Sequence, residues 1–200
     1  ILIEEAGSTF MKANGEVTAS ANTLRVAAGE CRRAEGEGLQ PTSNGQLSLA
    51  VRVPLGVVAA IAPFNFPINI TMKKIAYALA IGNTIVLKPA SYTPATGYLV
   101  AKAFEMAGLP AGVLNVIPGP GGVIGDILVE DPRVKCVTFT GSSPVGRGIA
   151  AKAAKNLKKY ALELGGKNPL IVLKDFDAAK AAELAAYGSF YNQGQTCIAT

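Results

Sequence analysis

The sequence predicts an α/β fold: an open, doubly wound (Rossmann-like) parallel sheet with helices on both faces. Two observations point to it. Half of the 200 residues are hydrophobic and only 16% are charged, whereas roughly 25% is usual for soluble domains. Beyond Pro54, short apolar segments alternate with helical segments. A parallel sheet that is covered by helices on both faces needs this composition and this alternation.

The residues before Pro54 are predicted to lie outside the main sheet. Apolar residues recur at helical spacing from residue 1 to about residue 34, which predicts a lead-in helix that ends before Gly36. Residues 47–53 alternate apolar and polar side chains after the Asn44-Gly45 turn signal, which predicts a half-exposed strand. We expect this strand to be part of an arm beside the main sheet.

Four strand–helix units follow Pro54. The predicted strands are residues 57–61, 84–87, 113–117 and 135–139, and the helices after them end near residues 80, 107, 129 and 156. Successive units of this kind predict parallel strands with right-handed crossovers. Two further strands are predicted at 159–164 and 170–173, and a last helix from 178 to about 191.

Histidine and cysteine usage excludes several kinds of chemistry. The chain has no histidine, so within it there is no Ser-His-Asp triad, no Cys-His dyad and no histidine-ligated metal. Cys31, Cys136 and Cys197 are far apart and odd in number, which argues against a disulfide framework and a zinc site. We therefore expect no metal and a reducing, cytoplasmic location.

Charge and hydropathy argue against a nucleic acid or a membrane as a partner. The net charge is +5, but the four lysines between residues 152 and 159 lack interleaved aromatic side chains and are typical of a solvated helix end. The most apolar stretch, residues 51–61, is too short to span a bilayer and contains Arg52. No leader is evident, and Ile1 falls within a helical pattern, so we expect an internal fragment.

Five motifs stand out: four lie at the ends of predicted strands, where ligands collect in open α/β sheets, and the fifth lies just after the last predicted helix. Each motif alone is a weak signal, and a lone cysteine is most often a buried structural residue. In order along the chain they are Pro63-Phe64-Asn65-Phe66-Pro67, Leu87-Lys88-Pro89, Phe139-Thr140-Gly141-Ser142-Ser143-Pro144-Val145-Gly146, Glu163-Leu164-Gly165-Gly166-Lys167-Asn168-Pro169 and Gly194-Gln195-Thr196-Cys197. Together, in unbroken order over residues 1–200, they resemble the NAD(P)-dependent aldehyde dehydrogenase superfamily.

The resemblance implies three catalytic residues. Cys197 corresponds to the nucleophile that forms a thiohemiacetal with the aldehyde. Asn65 corresponds to the side chain that stabilises the oxyanion together with the backbone amide of the nucleophile. Glu163 corresponds to the general base that activates water for hydrolysis of the thioester. From the residues alone, Asn65 is also compatible with a structural turn, and Glu163 with an exposed strand end.

The resemblance also implies a bound NAD or NADP. Lys88 corresponds to a lysine that binds the adenosine ribose, Thr140 to a residue that packs on the nicotinamide, and Gly121 and Gly125 to positions near the adenine, although a purely structural glycine turn explains those two equally well. The other expected cofactor contacts are the segment Ile61, Ala62, Pro63 and Phe64, the phosphate-facing turn with Gly141, Ser142 and Gly146, and Leu164.

One position departs from the NAD-preferring pattern of the family. A glutamate is frequent shortly after the Lys-Pro pair, where it accepts hydrogen bonds from the ribose 2′-hydroxyl and repels a 2′-phosphate. Here that position is Ser91. The sequence therefore does not predict strict NAD preference.

The resemblance implies a domain division and an activity. The domains are a lead-in helix at 1–38, an oligomerisation-type strand arm at 39–53, an NAD(P)-binding domain at 54–165 and the start of a catalytic domain at 166–200. The activity is oxidation of an aldehyde to a free carboxylic acid in a homodimer or homotetramer. The alternative is a catalytically silent nucleotide-binding fragment, because much of the family's catalytic domain is missing.

Overall fold

The computed structural model describes residues 1–40 and 43–200, and the first element differs from the sequence prediction. Two helices replace the single lead-in helix, because Gly7 adopts a left-handed φ of 61° and Thr9 then caps the second helix by accepting a hydrogen bond from the Lys12 amide at 3.2 Å. The helices are α1 (Leu2–Ala6) and α2 (Phe10–Glu30), and a 3₁₀ turn follows α2 at Cys31–Arg33.

A two-stranded antiparallel ribbon lies beside the main sheet, as predicted for the arm. Its strands are β1 (Glu37–Leu39) and β2 (Ser48–Ala50). The second strand is shorter than the predicted 47–53, since the β1 ladder pairs with three residues only. Residues 41 and 42 of the predicted arm lie outside the described residues. Leu39 and Leu49 are exposed on the ribbon.

The main sheet has five parallel strands in the order β5-β4-β3-β6-β7. The chain therefore winds outward from β3 in both directions, and this confirms the doubly wound α/β fold. The carboxyl ends of β3 and β6 flank the point at which the winding direction changes. The strands are β3 (Val57–Ile61), β4 (Thr84–Lys88), β5 (Leu114–Val116), β6 (Val134–Thr140) and β7 (Lys159–Glu163).

Helices cover both faces of this sheet. Alternate residues of β3 point to opposite faces: Val58 and Ala60 belong to one buried cluster, with Ile75 and Val100, and Ala59 belongs to the other. Among the described residues, no helix is long and apolar enough to cross a membrane. The helices are α3 (Asn69–Ala80), α4 (Pro94–Met106), α5 (Asp126–Glu130), preceded by a π turn at Gly121–Gly125, α6 (Ser143–Lys155) and α7 (Ala178–Phe190).

The predicted strand at residues 170–173 is wrong. These residues are in no ladder, and their side chains are 46–78% exposed. A strand needs the backbone of a neighbouring strand to satisfy its amides and carbonyls, and no described segment pairs with this one. The residues from Leu170 to Leu173 have the apolar pattern of a strand, but no neighbouring strand among the described residues pairs with them.

Candidate active site

The first of two neighbouring cavities lies at the carboxyl ends of β3 and β4. Ile61 and Lys88 are paired in the ladder, so the two predicted cofactor residues lie side by side. They line a cavity of about 440 Å³ together with Ala62, Gly121 and Gly125. Five residues predicted to contact the cofactor are thus brought together from three separate segments.

Lys88 is the cation of this first cavity. Its side chain is nearly buried, and burial lowers the pKa of its ammonium group. Nζ donates a hydrogen bond to the Pro89 carbonyl at 3.1 Å. An ammonium group has three donors, so the group remains able to bind the hydroxyls of a ligand in the cavity.

The second cavity, of about 530 Å³, contains Cys197 and most of the other predicted residues. Ala62 and Phe139 line the first cavity, whereas the next residues along the chain, Pro63 and Thr140, line the second. The two cavities are therefore neighbours, and an extended ligand could occupy both. The predicted residues in the second cavity are Pro63, Phe64, Asn65, Ser91, Thr140, Gly141, Ser142, Leu164 and Cys197.

Cys197 lies on an exposed loop after α7, which argues against a buried structural role. Asn168 holds this loop: its Nδ2 donates to the carbonyls of Cys197 at 2.7 Å and Ala199 at 3.0 Å. Gly166 approaches the same carbonyl so closely that an added Cβ would lie 2.6 Å from it. The segment after β7 thus fixes the backbone from Cys197 to Ala199, and the close approach at Gly166 is possible because glycine has no Cβ.

The amide of Asn65 is directed toward the cysteine loop. Its Nδ2 donates to the Gln195 carbonyl at 2.9 Å, and its Oδ1 accepts from the Phe66 amide at 3.1 Å. Asn192 joins the same two segments, since its Nδ2 contacts the carbonyls of Asn65 at 3.4 Å and Gln195 at 3.3 Å. Asn192 itself has a left-handed φ of 53°, and the sequence patterns did not indicate its role.

Glu163 ends β7, where it is paired with Thr140, and its side chain is exposed. The residues after it, Leu164 to Gly166, line the second cavity, whereas Glu163 does not. Its carboxylate affects the pKa of Lys74. That pKa is lowered to about 8, because burial lowers it more than the negative charge of Glu163 raises it. The sequence analysis did not identify Lys74 as a residue close to Glu163. Its position on the apolar side of a predicted helix was the pattern that could have identified it.

The turn that was predicted to face phosphates opens α6. Ser142 occupies the N-cap position, yet its side chain makes no capping hydrogen bond, so the helix start is not closed by its own side chain. Gly146 is buried and lines neither cavity. An added Cβ there would lie 2.5 Å from Cδ2 of Leu164, so this glycine allows α6 to pack closely on the segment after β7.

A buried hydroxyl in the second cavity favours a bound cofactor. Thr140 Oγ1 is buried and has no hydrogen-bond partner among the described residues. A buried hydroxyl without a partner costs free energy, and a ligand with polar groups in this cavity would supply one. With Lys88 in the first cavity, the polar side chains present fit a ligand that carries hydroxyl groups in the first cavity and a polar group in the second.

The strand order and the two cavities at the carboxyl ends of the strands define a Rossmann-like α/β domain with an exposed cysteine loop at its edge. The chain belongs to the aldehyde dehydrogenase family, whose profile matches residues 1–200. Groups of at least three histidine, cysteine, aspartate or glutamate side chains suited to a metal are absent from the described residues.

The relatives are longer than this chain. An alpha-ketoglutaric semialdehyde dehydrogenase of Bacillus subtilis is 47% identical over 196 residues, which is 98% of this chain and 40% of that protein. The crystal structure of an NADP dependent enzyme of E. coli has a TM-score of 0.95 at 40% identity, covering 100% of this chain and 41% of the other. An NAD-dependent aldehyde dehydrogenase of Sinorhizobium meliloti has a TM-score of 0.94 at 41% identity, covering 99% and 39%. The chain spans about two fifths of the length of these relatives.

Proposed function

We propose that the full-length protein containing this chain oxidises an aldehyde to a carboxylic acid with NAD or NADP. The observation that carries this proposal is the shared cavity of Cys197 and Asn65, in which the Asn65 amide bonds the backbone of the cysteine loop. Membership of the aldehyde dehydrogenase family supports it, as do relatives whose names specify NADP or NAD.

Cys197 is the proposed nucleophile. Its thiolate attacks the carbonyl carbon and forms a thiohemiacetal, a route to oxidation that needs neither a metal nor a histidine. The negative charge that develops on the aldehyde oxygen is stabilised by Asn65 Nδ2 and by the backbone amide of Cys197. Such donors contribute about 3 to 4 kcal/mol when they are preorganised. The bonds from Asn192 and Asn168 to these two segments supply that preorganisation.

When bound, NAD or NADP would supply the hydride acceptor that oxidation of the thiohemiacetal requires. We assign the adenosine half to the first cavity, with Lys88 at the ribose and Gly121 and Gly125 at the adenine, and the nicotinamide half to the second cavity at Thr140. Loss of the hydride leaves an acyl thioester on Cys197. The start of α6 at Gly141 and Ser142, which has no side-chain cap, suits the phosphates between the two halves.

Glu163 is the proposed base for the last step. A carboxylate that removes a proton from water allows the resulting hydroxide to attack the thioester, which releases the acid and regenerates the thiol. The family's coenzyme A-acylating members release the acyl group by thiolysis and tend not to keep this glutamate, so its presence favours hydrolysis. The side chain is exposed at the strand end, where water reaches it.

Rapid mixing of the full-length protein with NAD or NADP and a panel of aliphatic and aromatic aldehydes tests the function. We expect a burst of reduced nicotinamide equivalent to the active-site concentration, followed by steady turnover and release of the acid. Cofactor binding without nicotinamide reduction by any aldehyde would contradict the proposal. The alternative, a silent fragment, is tested with the 200-residue chain alone, which would then bind cofactor without turnover.

Location, assembly and domain division are further proposals. The described cysteines Cys31, Cys136 and Cys197 are free thiols, which supports a reducing, cytoplasmic compartment. The exposed leucines and free edges of the β1–β2 ribbon support assembly into a homodimer or homotetramer. The domain bounds 1–38, 39–53, 54–165 and 166–200 stay predictions, and all five strands of the main sheet fall within the third range.

Ser91 is the position at which we expect cofactor selectivity to change. It follows Lys88 by three residues but lines the neighbouring second cavity, so the prediction requires the ribose 2′-position to face the boundary between the two cavities. The Ser91 hydroxyl donates to the Gly119 carbonyl at 3.2 Å. The full-length protein should accept NADP, because no carboxylate stands at this position. Replacing Ser91 with glutamate should weaken NADP binding relative to NAD binding by about 1 to 3 kcal/mol, since the new charge repels a 2′-phosphate.

Calorimetric titration of both cofactors against the parent and Ser91→Glu measures this change. Ser91→Gln is the matched control, because it adds nearly the same volume without the charge and should leave the ratio of the two affinities close to that of the parent. An unchanged ratio in Ser91→Glu would show that this position does not face the ribose.

A further inference from the structure

A fully buried ion pair contacts the backbone of residues 65–69, a segment that we call the Asn65 turn. Lys12 and Glu16 are one turn apart on α2, their side chains are 1% and 0% exposed, and Nζ lies 2.7 Å from Glu16 Oε2. Charges this deeply buried require partners for every polar atom, since each unsatisfied atom is costly in an interior of low dielectric constant. The hydrogen-bond partners of this pair therefore show which segments of the chain the pair holds in place.

Each of the three ammonium protons of Lys12 has an acceptor. Nζ donates to Ser8 Oγ at 3.0 Å, to Glu16 Oε2 at 2.7 Å and to the backbone carbonyl of Asn65 at 2.6 Å. Nζ also lies 4.4 Å from the centre of the Phe66 ring, a distance typical of a cation–π contact. One side of the Asn65 turn is thus bonded to a residue 53 positions earlier.

Glu16 holds the other side of the same turn. Its Oε1 accepts from the backbone amides of Ile68 at 2.7 Å and Asn69 at 3.0 Å. These amides start α3, where no residue of the helix itself supplies a side-chain cap. A carboxylate at a helix N-terminus satisfies amides that have no partner within the helix and interacts favourably with the helix dipole.

We propose that the buried Lys12–Glu16 pair positions the Asn65 amide for oxyanion stabilisation. From α2, it fixes the carbonyl of Asn65 and the amides three and four residues later, so the turn between them has little freedom to move. The Asn65 side chain then points from this fixed turn toward the Gln195 carbonyl. The inference rests on the proposed function, because it assigns Asn65 that role. Lys12 and Glu16 are positioning residues, since they do not line the cavity of Cys197.

A double-mutant cycle in the full-length protein tests whether the pair acts through Asn65. The variants are Lys12→Met, Asn65→Ala and their combination, and the readout is the first-turnover rate of nicotinamide reduction at saturating aldehyde and cofactor. We expect Lys12→Met to lower this rate by about 10- to 100-fold, which is typical of a small misplacement at a reacting centre. In the Asn65→Ala background, the same change should lower it by less than about twofold.

Two further variants separate positioning from folding. Lys102→Met removes the exposed pair between Lys102 and Glu105 on α4 and should leave the rate unchanged. Lys12→Met combined with Glu16→Gln removes both buried charges together, which avoids an uncompensated charge, and it repeats the cycle if Lys12→Met alone does not fold. In every folded variant, the dissociation constant of the cofactor should stay close to that of the parent.

The outcomes distinguish this inference from the proposed function. A parent protein that shows no burst overturns the proposed function and the positioning role with it. A parent burst with equal losses from Lys12→Met in the parent and in the Asn65→Ala background overturns the positioning role alone, because the pair would then contribute only to stability. Loss of cofactor affinity in parallel with the rate has the same consequence.

Discussion

Replacing Cys197 with serine should abolish aldehyde oxidation by the full-length protein while leaving NAD and NADP binding nearly unchanged. A hydroxyl group has a much higher pKa than a thiol and is a weaker nucleophile without an adjacent base, and none of the residues of this chain that line the cavity of Cys197 is a histidine. The rate of nicotinamide reduction should fall by at least about 10³-fold, as expected when an enzyme loses its nucleophile.

The other two cysteines are matched controls for this variant. Cys136 lies in β6, and burial raises the pKa of its thiol, which makes it a poor nucleophile. Cys31 lies in the 3₁₀ turn after α2, where its Sγ donates to the Ala28 carbonyl at 2.9 Å. Cys136→Ser and Cys31→Ser should keep turnover near the parent level. Comparable turnover in Cys197→Ser would remove the assignment of the nucleophile.

Replacing Glu163 with glutamine should separate the two halves of the reaction. Formation of the thioester depends on the Cys197 thiolate, whereas its hydrolysis depends on an activated water. Rapid-mixing traces should therefore keep the burst of reduced nicotinamide, and steady turnover should fall by about 10²- to 10⁴-fold, the contribution that a general base makes. The glutamine has nearly the same size, so the turn before Gly165 should keep its structure.

Two further measurements test the assignment of Glu163 as the general base. Glu183→Gln removes an exposed carboxylate from α7 and should change neither the burst nor the turnover. Mass spectrometry of quenched Glu163→Gln should show the acyl group attached to Cys197. Disappearance of the burst while the cofactor still binds would mean that Glu163 acts mainly on the thiol.

The sequence was sufficient for the elements that depend on local pattern. The strand at Val57–Ile61 was predicted with both ends correct, and the helix predicted from 178 to about 191 spans Ala178–Phe190. The resemblance that the motif order indicates predicted Asn65 and Cys197 in one site, and both residues line the second cavity. Those motifs also sufficed for the family, which the profile match confirms.

Only the tertiary structure decided which contacts support that site. The acceptors and donors that meet Lys12 and Glu16 include backbone atoms more than 50 residues away, and helical spacing alone contains no information about them. The apolar pattern of Leu170-Leu173 predicted a strand, yet the structure has none there because strand formation requires a hydrogen-bonding partner. Local periodicity records which side chains avoid water, whereas pairing and buried charge networks depend on segments that meet only after the chain has folded.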